Sequence, residues 1–152
     1  MAVATKQAET TLADMHAHLE TVRPGLPYRF SDAADFGEGV WQGDLCLELV
    51  AEVPPDYEAV SRPKAADKQL VIGSTQGSRH CLDSLHGGNL HRPADWGKNL
   101  DSLVGPCLVL TEERTVLHPT HGAVTIPAGR TILCSYQRVW DMEQQAARRS
   151  LD

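Results

Sequence analysis

His121-Gly122-Ala123-Val124-Thr125-Ile126-Pro127-Ala128-Gly129-Arg130-Thr131-Ile132-Leu133-Cys134-Ser135-Tyr136-Gln137-Arg138 is the stretch that decides the fold. Val124–Ile126 and Thr131–Tyr136 are short, rich in β-branched residues and bounded by turn formers, the signature of strands. Pro127-Ala128-Gly129 predicts a tight turn joining them as a hairpin. Ile126, Ile132 and Cys134 then face a core. A histidine, His121, stands where the first strand begins.

Working outward, the same grammar recurs. Leu45, Leu47, Leu49, Ala51 and Val53 alternate with Cys46, Glu48, Val50 and Glu52, a period of two that predicts a strand stopped by Pro54-Pro55. Lys68 to Ile72, Leu103 to Leu110 and Arg114 to His118 read as further strands. Pro106 predicts an edge position or a bulge in the second of these. Residues 73–97 are rich in Gly, Ser, Asn, Asp and His, and predict short strands and turns.

The two ends differ. Between Thr5 and Val22, apolar residues recur at Ala8, Leu12, Met15, Leu19 and Val22, which predicts a helix with an a/d seam about two heptads long, ended by Pro24-Gly25. The seam fits packing within the chain or pairing with another subunit. Trp140 to Leu151 is polar and helix-prone, and Arg148 and Arg149 would suit the C-terminal end of a helix dipole. The expected fold is therefore mainly β: a single small β-barrel or sandwich with an N-terminal helix and a short C-terminal helix. Its expected parts are an N-terminal helix (1–25), a connector (26–40), a β domain (41–141) and a polar C-terminal helix or tail (142–152).

Composition bounds the function. The chain has 152 residues, 41% hydrophobic and 22% charged, enough for one domain with a sizeable core. A net charge of −6 argues against a general nucleic-acid binder, whose affinity comes from Lys and Arg on phosphate. No apolar run reaches the roughly 18–20 residues of a membrane span. The first residues lack the basic start and apolar core of a secretory signal, so a cytoplasmic location is expected. Cys46, Cys81, Cys107 and Cys134 make no C-x-x-C pair, and three of them sit in apolar runs, which predicts reduced, buried thiols.

The histidines are the chemical candidates. His16 and His18 fall on the polar side of the predicted helix. His80, His86, His91, His118 and His121 fall in loops or at strand ends, where binding groups gather. His118-Pro119-Thr120-His121 can converge two rings at a turn. With His80 they form a candidate three-ligand site for zinc, with Asp83 or Glu113 as a base. The spacing matches no well-defined metal motif, and histidines bonded to loop backbone or facing water explain the pattern more simply. Ser78 and His80 lack both a nucleophile elbow and an orienting acid. Arg92-Pro93-Ala94-Asp95-Trp96-Gly97 offers a second kind of site, a surface loop in which Arg92 and Trp96 are binding anchors; a tryptophan folded over the barrel end as a plug explains the loop equally well.

Gln42-Gly43-Asp44, Gly73 to His80, His121-Gly122, Ile126-Pro127-Ala128-Gly129 and Gln137-Arg138-Val139-Trp140 together resemble a loose family of small bacterial β-rich proteins of unassigned function. That family shows a Gln-Gly-Asp entry, a Gly-Glu-x-Thr-Gly-His-x-His loop and a Leu-Pro-x-Gly hairpin followed by Gln-Arg-Glu-Tyr. The likeness spans roughly residues 41–141. The family's loop glutamate and first histidine fall on Ser74 and Ser78, which implies a reduced polar site or a non-catalytic member.

The expected function is a non-enzymatic binding or assembly protein, a homo-oligomeric subunit of a bacterial or phage-encoded assembly. Its interface would be Leu12, Met15, Leu19 and Val22, its partner a second copy or another protein, and it would need no cofactor. The alternative is a metal-dependent hydrolase, with zinc on His80, His118 and His121.

Overall fold

The computed structural model describes residues 20–21, 26–73, 76–98, 102–141 and 146–149. Its strands, in chain order, are β1 (Glu20–Thr21), β2 (Tyr28–Arg29), β3 (Gly39–Gln42), β4 (Leu45–Val50), β5 (Tyr57–Ala59), β6 (Cys81–Leu82), β7 (Gly88–Pro93), β8 (Val104–Leu110), β9 (Arg114–Leu117), β10 (Val124–Ile126), β11 (Thr131–Tyr136), β12 (Arg138–Asp141) and β13 (Ala146–Arg149).

The strands of the His121–Arg138 stretch form where the sequence predicts them, but not as a hairpin. β10 pairs antiparallel with β9 and parallel with β2. β11 instead lies between β4 and β8, antiparallel to both. Pro127-Ala128-Gly129 therefore carries the chain from one sheet to another. Gly129 supplies the turn with φ +81°, a left-handed conformation that favours glycine. Its N–H donates to the Leu110 carbonyl at 2.9 Å, and Leu110 N–H donates to the Arg130 carbonyl at 3.0 Å, pinning the crossing to the end of β8. A period-two pattern specifies which face of a strand is buried, not which strand lies beside it, and that is why the hairpin expectation fails.

The larger sheet has the order β1-β3-β4-β11-β8-β7-β5, the smaller one β2-β10-β9-β6, and β12 pairs with β13 alone. The larger sheet is open, with β1 and β5 at its edges, so the barrel is corrected. So are the helices. Glu20–Thr21, inside the predicted N-terminal helix, pairs parallel with Val40–Trp41, and the rest of that helix lies outside the described residues. The predicted C-terminal helix is crossed by β12 and β13, paired in register from Arg138↔Arg149 to Asp141↔Ala146. Val139 and Trp140 are residues that suit a pleated strand, and they outweigh the helix-prone tail. Helix among the described residues is confined to short 3-10 turns at Ala65–Lys68 and Gln76–Ser78. The first occupies the start of the strand predicted over 68–72, of which only a Gln69–Cys81 bridge remains. The connector also contributes strands, β2 and the start of β3.

One core joins the two sheets. Leu45, Leu47 and Leu49 on β4 are fully buried, as the alternation requires, and Ile132 and Cys134 oppose them across the β4–β11 ladder. Val116, Val124 and Ile126 enter the same cluster from the smaller sheet, with Phe30, Leu70 and Leu82. Burying such side chains contributes about 1.5–3 kcal/mol each. Pro106 sits in β8 between two paired strands, at a register shift where Leu133 opposes Cys107 and Ser135 opposes Val104. The extra residue on β8 is the bulge that a proline in a ladder demands. No helix among the described residues is long and apolar enough to cross a membrane.

Candidate functional site

Gly43 and Asp44 turn the chain between β3 and β4, so Gln42 and Asp44 flank the turn. Both side chains point into the protein, 0% and 1% exposed, and meet His80, which is 0% exposed. Gln42 Nε2 donates to the carbonyls of Val116 at 3.0 Å and Gly122 at 2.8 Å. Those two acceptors fix the amide orientation and leave Oε1 facing His80 Nδ1 at 2.8 Å. Two acceptors cannot bond without a hydrogen, so Nδ1 carries the proton. His80 Nε2 lies 3.1 Å from Asp44 Oδ1, and one proton is shared between them. When His80 is doubly protonated, the contact is a buried ion pair.

The rings of His118 and His121 lie beside this unit. Ring centroids are 4.3 Å apart for His80 and His118, 4.5 Å for His118 and His121, and 6.3 Å for His80 and His121. The sequence expected these three residues together, and the structure brings them together, with the rings of neighbouring pairs tilted by 40° and 38°. A metal ion needs lone pairs aimed at one point. His80 Nδ1 is protonated and its Nε2 is engaged with Asp44. His118 Nδ1 accepts from the N–H groups of Thr120 at 3.1 Å and His121 at 3.2 Å, while Nε2 donates to the Gly77 carbonyl at 3.3 Å. The donor set does not fit zinc, and among the described residues no group of three or more His, Cys, Asp or Glu side chains is placed to hold a metal ion.

The proposed bases stand elsewhere. Asp83 Oδ1 accepts from Thr115 N–H at 3.2 Å, and Glu113 Oε1 accepts from Arg29 at 2.8 Å, on the exposed edge of the smaller sheet. Ser78 is 2% exposed, its Oγ packed where a side chain on Gly73 would fall. Cys46, Cys107 and Cys134 are buried free thiols, and Cys81 is half-buried. Burial pushes the thiols of Cys46 and Cys107 up to about 11 and Cys134 well above its ordinary value, so none is a nucleophile at neutral pH. Leu12, Met15, Leu19 and Val22 lie outside the described residues.

Arg92 and Trp96 meet at an open cleft. β7 carries Arg92 near its end, and the following turn, closed by Trp96 N–H on the Pro93 carbonyl at 3.0 Å, folds the indole back. The Arg92 guanidinium carbon sits 5.4 Å from the Trp96 ring centre, a cation–π distance. Across the cleft, the turn at Ala65–Lys68 presents Asp67. Its Oδ2 accepts from Lys64 N–H and its Oδ1 from Arg92 Nη2, both at 2.6 Å. These donors, the backbone N–H first and the guanidinium second, hold the Asp67 carboxyl below its ordinary value. Gln69 Nε2 ties the floor together through the carbonyls of Val71 at 2.7 Å and Gly73 at 2.8 Å. The cleft encloses about 250 Å³ and is lined by Asp67, Gln69, Ile72, Gly73, Arg92 and Trp96, among others.

The structure brings Arg92 and Trp96, which the sequence places in one loop, together with Asp67 and Gln69, whose spacing carries no motif. Gln42 and Asp44 belong to the Gln-Gly-Asp element, which by itself assigns them no role. The signal for them was two polar residues flanking a glycine turn between strongly apolar strands.

The family model described as a domain of unknown function (DUF8820) matches residues 41–134. No curated protein and no solved structure matches the chain.

Proposed function

The chain belongs to the DUF8820 family, and we propose that it acts as a binding protein rather than a catalyst, with the Arg92–Trp96 cleft as its recognition site. One observation carries this reading. The accessible polar concavity presents a guanidinium beside an indole, while His80 and His118 are hydrogen-bonded into the scaffold. Arg and Trp are the side chains that concentrate binding energy when they line a pocket. The test is a fragment library screened by ligand-observed NMR against the native chain and against Arg92→Gln with Trp96→Phe. Hits that lose their signal with the double variant support the reading. A library without a hit that depends on these residues refutes it.

Self-association belongs to the same proposal. Among the described residues Glu20–Thr21 is the outermost strand of the larger sheet, an edge open to a second copy, and the apolar spacing of Leu12, Met15, Leu19 and Val22 supports pairing between copies. Light scattering should show an oligomer that Leu12→Asp with Leu19→Asp reduces to a monomer. A native chain that is monomeric at micromolar concentration refutes this part alone.

A further inference from the structure

We propose that the Arg92–Trp96 cleft takes a small organic anion, a carboxylate carried on a flat ring; the inference rests on the cleft being the binding site. The hydrogen-bond inventory of the walls points to this class. Asp67 and Arg92 are the ionic side chains lining the cleft. Both oxygens of Asp67 are already engaged, by Lys64 N–H and by Arg92 Nη2. Two of its roughly four acceptor sites are taken, and the guanidinium 2.6 Å away repels a cation brought to the rest.

Arg92 is in the opposite condition. A guanidinium has five N–H donors, and Asp67 engages it through Nη2 alone. Its Nε is buried without a hydrogen-bond partner among the described residues. The side chain as a whole is 22% exposed, so the group is held but not sealed. Asp67 fixes the fork in position and leaves donors over. The acceptor matching the remaining donors of a planar guanidinium is a carboxylate, which forms shorter and stronger bonds than a neutral carbonyl.

The second wall sets the shape of the ligand. Trp96 is half-buried and packs against the core, so its ring is held in place rather than swinging free. A fixed indole beside a cation favours a flat ring laid against it. The volume, about 250 Å³, lies near the lower end of small-molecule pockets, which run from roughly 300 to 1,000 Å³. It suits one ring and one carboxylate, not a dinucleotide or a folded peptide.

The experiment uses the full chain and benzoate as probe, with benzamide and benzylammonium as matched neutral and cationic probes. Binding is followed by calorimetry and by the shift of the Trp96 indole N–H in ¹H–¹⁵N spectra. A single small ring should bind benzoate with a dissociation constant on the order of 1 mM. Arg92→Gln should weaken it by about tenfold or more, as loss of a charge-assisted fork requires. Arg92→Lys, which keeps the charge but not the fork, should fall between. Trp96→Phe keeps a ring against the core and guards against unfolding; it should weaken benzoate without changing the benzoate-over-benzamide preference. Equal binding of benzamide and benzoate overturns the inference. Preference for benzylammonium at the same indole signal overturns it too, while leaving the cleft as a binding site. Silence at the Trp96 signal for all three probes and for a wider fragment set overturns the inference and the binding reading together.

Discussion

Replacing Gln42 with Met keeps the side-chain volume and removes the amide, which isolates what the buried hydrogen bonds contribute. Three contacts disappear, to Val116 O, Gly122 O and His80 Nδ1. Each side-chain hydrogen bond contributes about 1 kcal/mol net, and a buried donor left without a partner costs about 1–3 kcal/mol. His80 is fully buried, so its Nδ1–H cannot turn to water in the native state. The expected loss is about 4–6 kcal/mol, a large share of the roughly 5–15 kcal/mol that holds a domain together. In a chain of this length each kcal/mol moves the midpoint by about 2–4 °C, so melting should fall by roughly 8–24 °C. Urea unfolding followed by circular dichroism gives the free energy directly. Gln42→Glu retains an acceptor for His80 but aims a carboxyl oxygen at two carbonyls. Its ionised form is disfavoured in the fold, so this variant should lose further stability as pH rises from 5 to 8. A loss below about 1 kcal/mol for Gln42→Met would refute the claim that this amide organises the histidine cluster.

Other consequences can be checked separately. Long-range ¹⁵N spectra should show His80 protonated at Nδ1 at every pH where the chain is folded; an unprotonated Nδ1 would sink the hydrogen-bond assignment. The Asp67 carboxyl is held low in the fold by Lys64 N–H and Arg92, so its contribution is full above its unfolded value, near 3.9, and is lost as pH falls through the folded value. Asp67→Asn should therefore cost about 1 kcal/mol at pH 7 and flatten the acid limb of the stability curve; a parallel acid limb in the two proteins speaks against the pair. Iodoacetamide at neutral pH should label Cys81 first and spare Cys46, Cys107 and Cys134, whose burial disfavours the thiolate. Peptide mapping that finds Cys134 labelled as fast as Cys81 contradicts the buried core.

The β character, the inward leucines of β4 and the inward Ile126, Ile132 and Cys134 are legible in the sequence because each follows from local alternation. Partner choice is not local. Nothing in Val124-Thr125-Ile126 says that its neighbours are Arg114–Leu117 and Tyr28–Arg29. At the ends, an apolar seam and a polar tail score as helix in isolation, whereas at Glu20–Thr21, Arg138–Asp141 and Ala146–Arg149 strand pairing overrides weak propensity. In the histidine cluster the proximity was legible and the chemistry was not. Whether a ring nitrogen can bind metal depends on what already occupies it, and Gln42 and Asp44 reach His80 from 38 and 36 residues away. Arg92 and Trp96 lie within one loop, so their proximity is legible in the sequence. Their contact with Asp67, 25 residues earlier, is not.

The place of β11 has a consequence for the order of assembly. It is the strand that joins β4 to β8, and it comes near the end of the matched region. Until Thr131–Tyr136 has been synthesised, the β3–β4 pair and the β7–β8 pair have no ladder between them and each exposes an open edge. Closing the sheet then requires contacts from Leu45 to Tyr136 in a single step, the kind of distant pairing that slows folding. A nascent chain stalled before Ile132 would carry two sticky strand edges and an apolar face together. Such a chain would depend on chaperones during translation far more than the finished protein does.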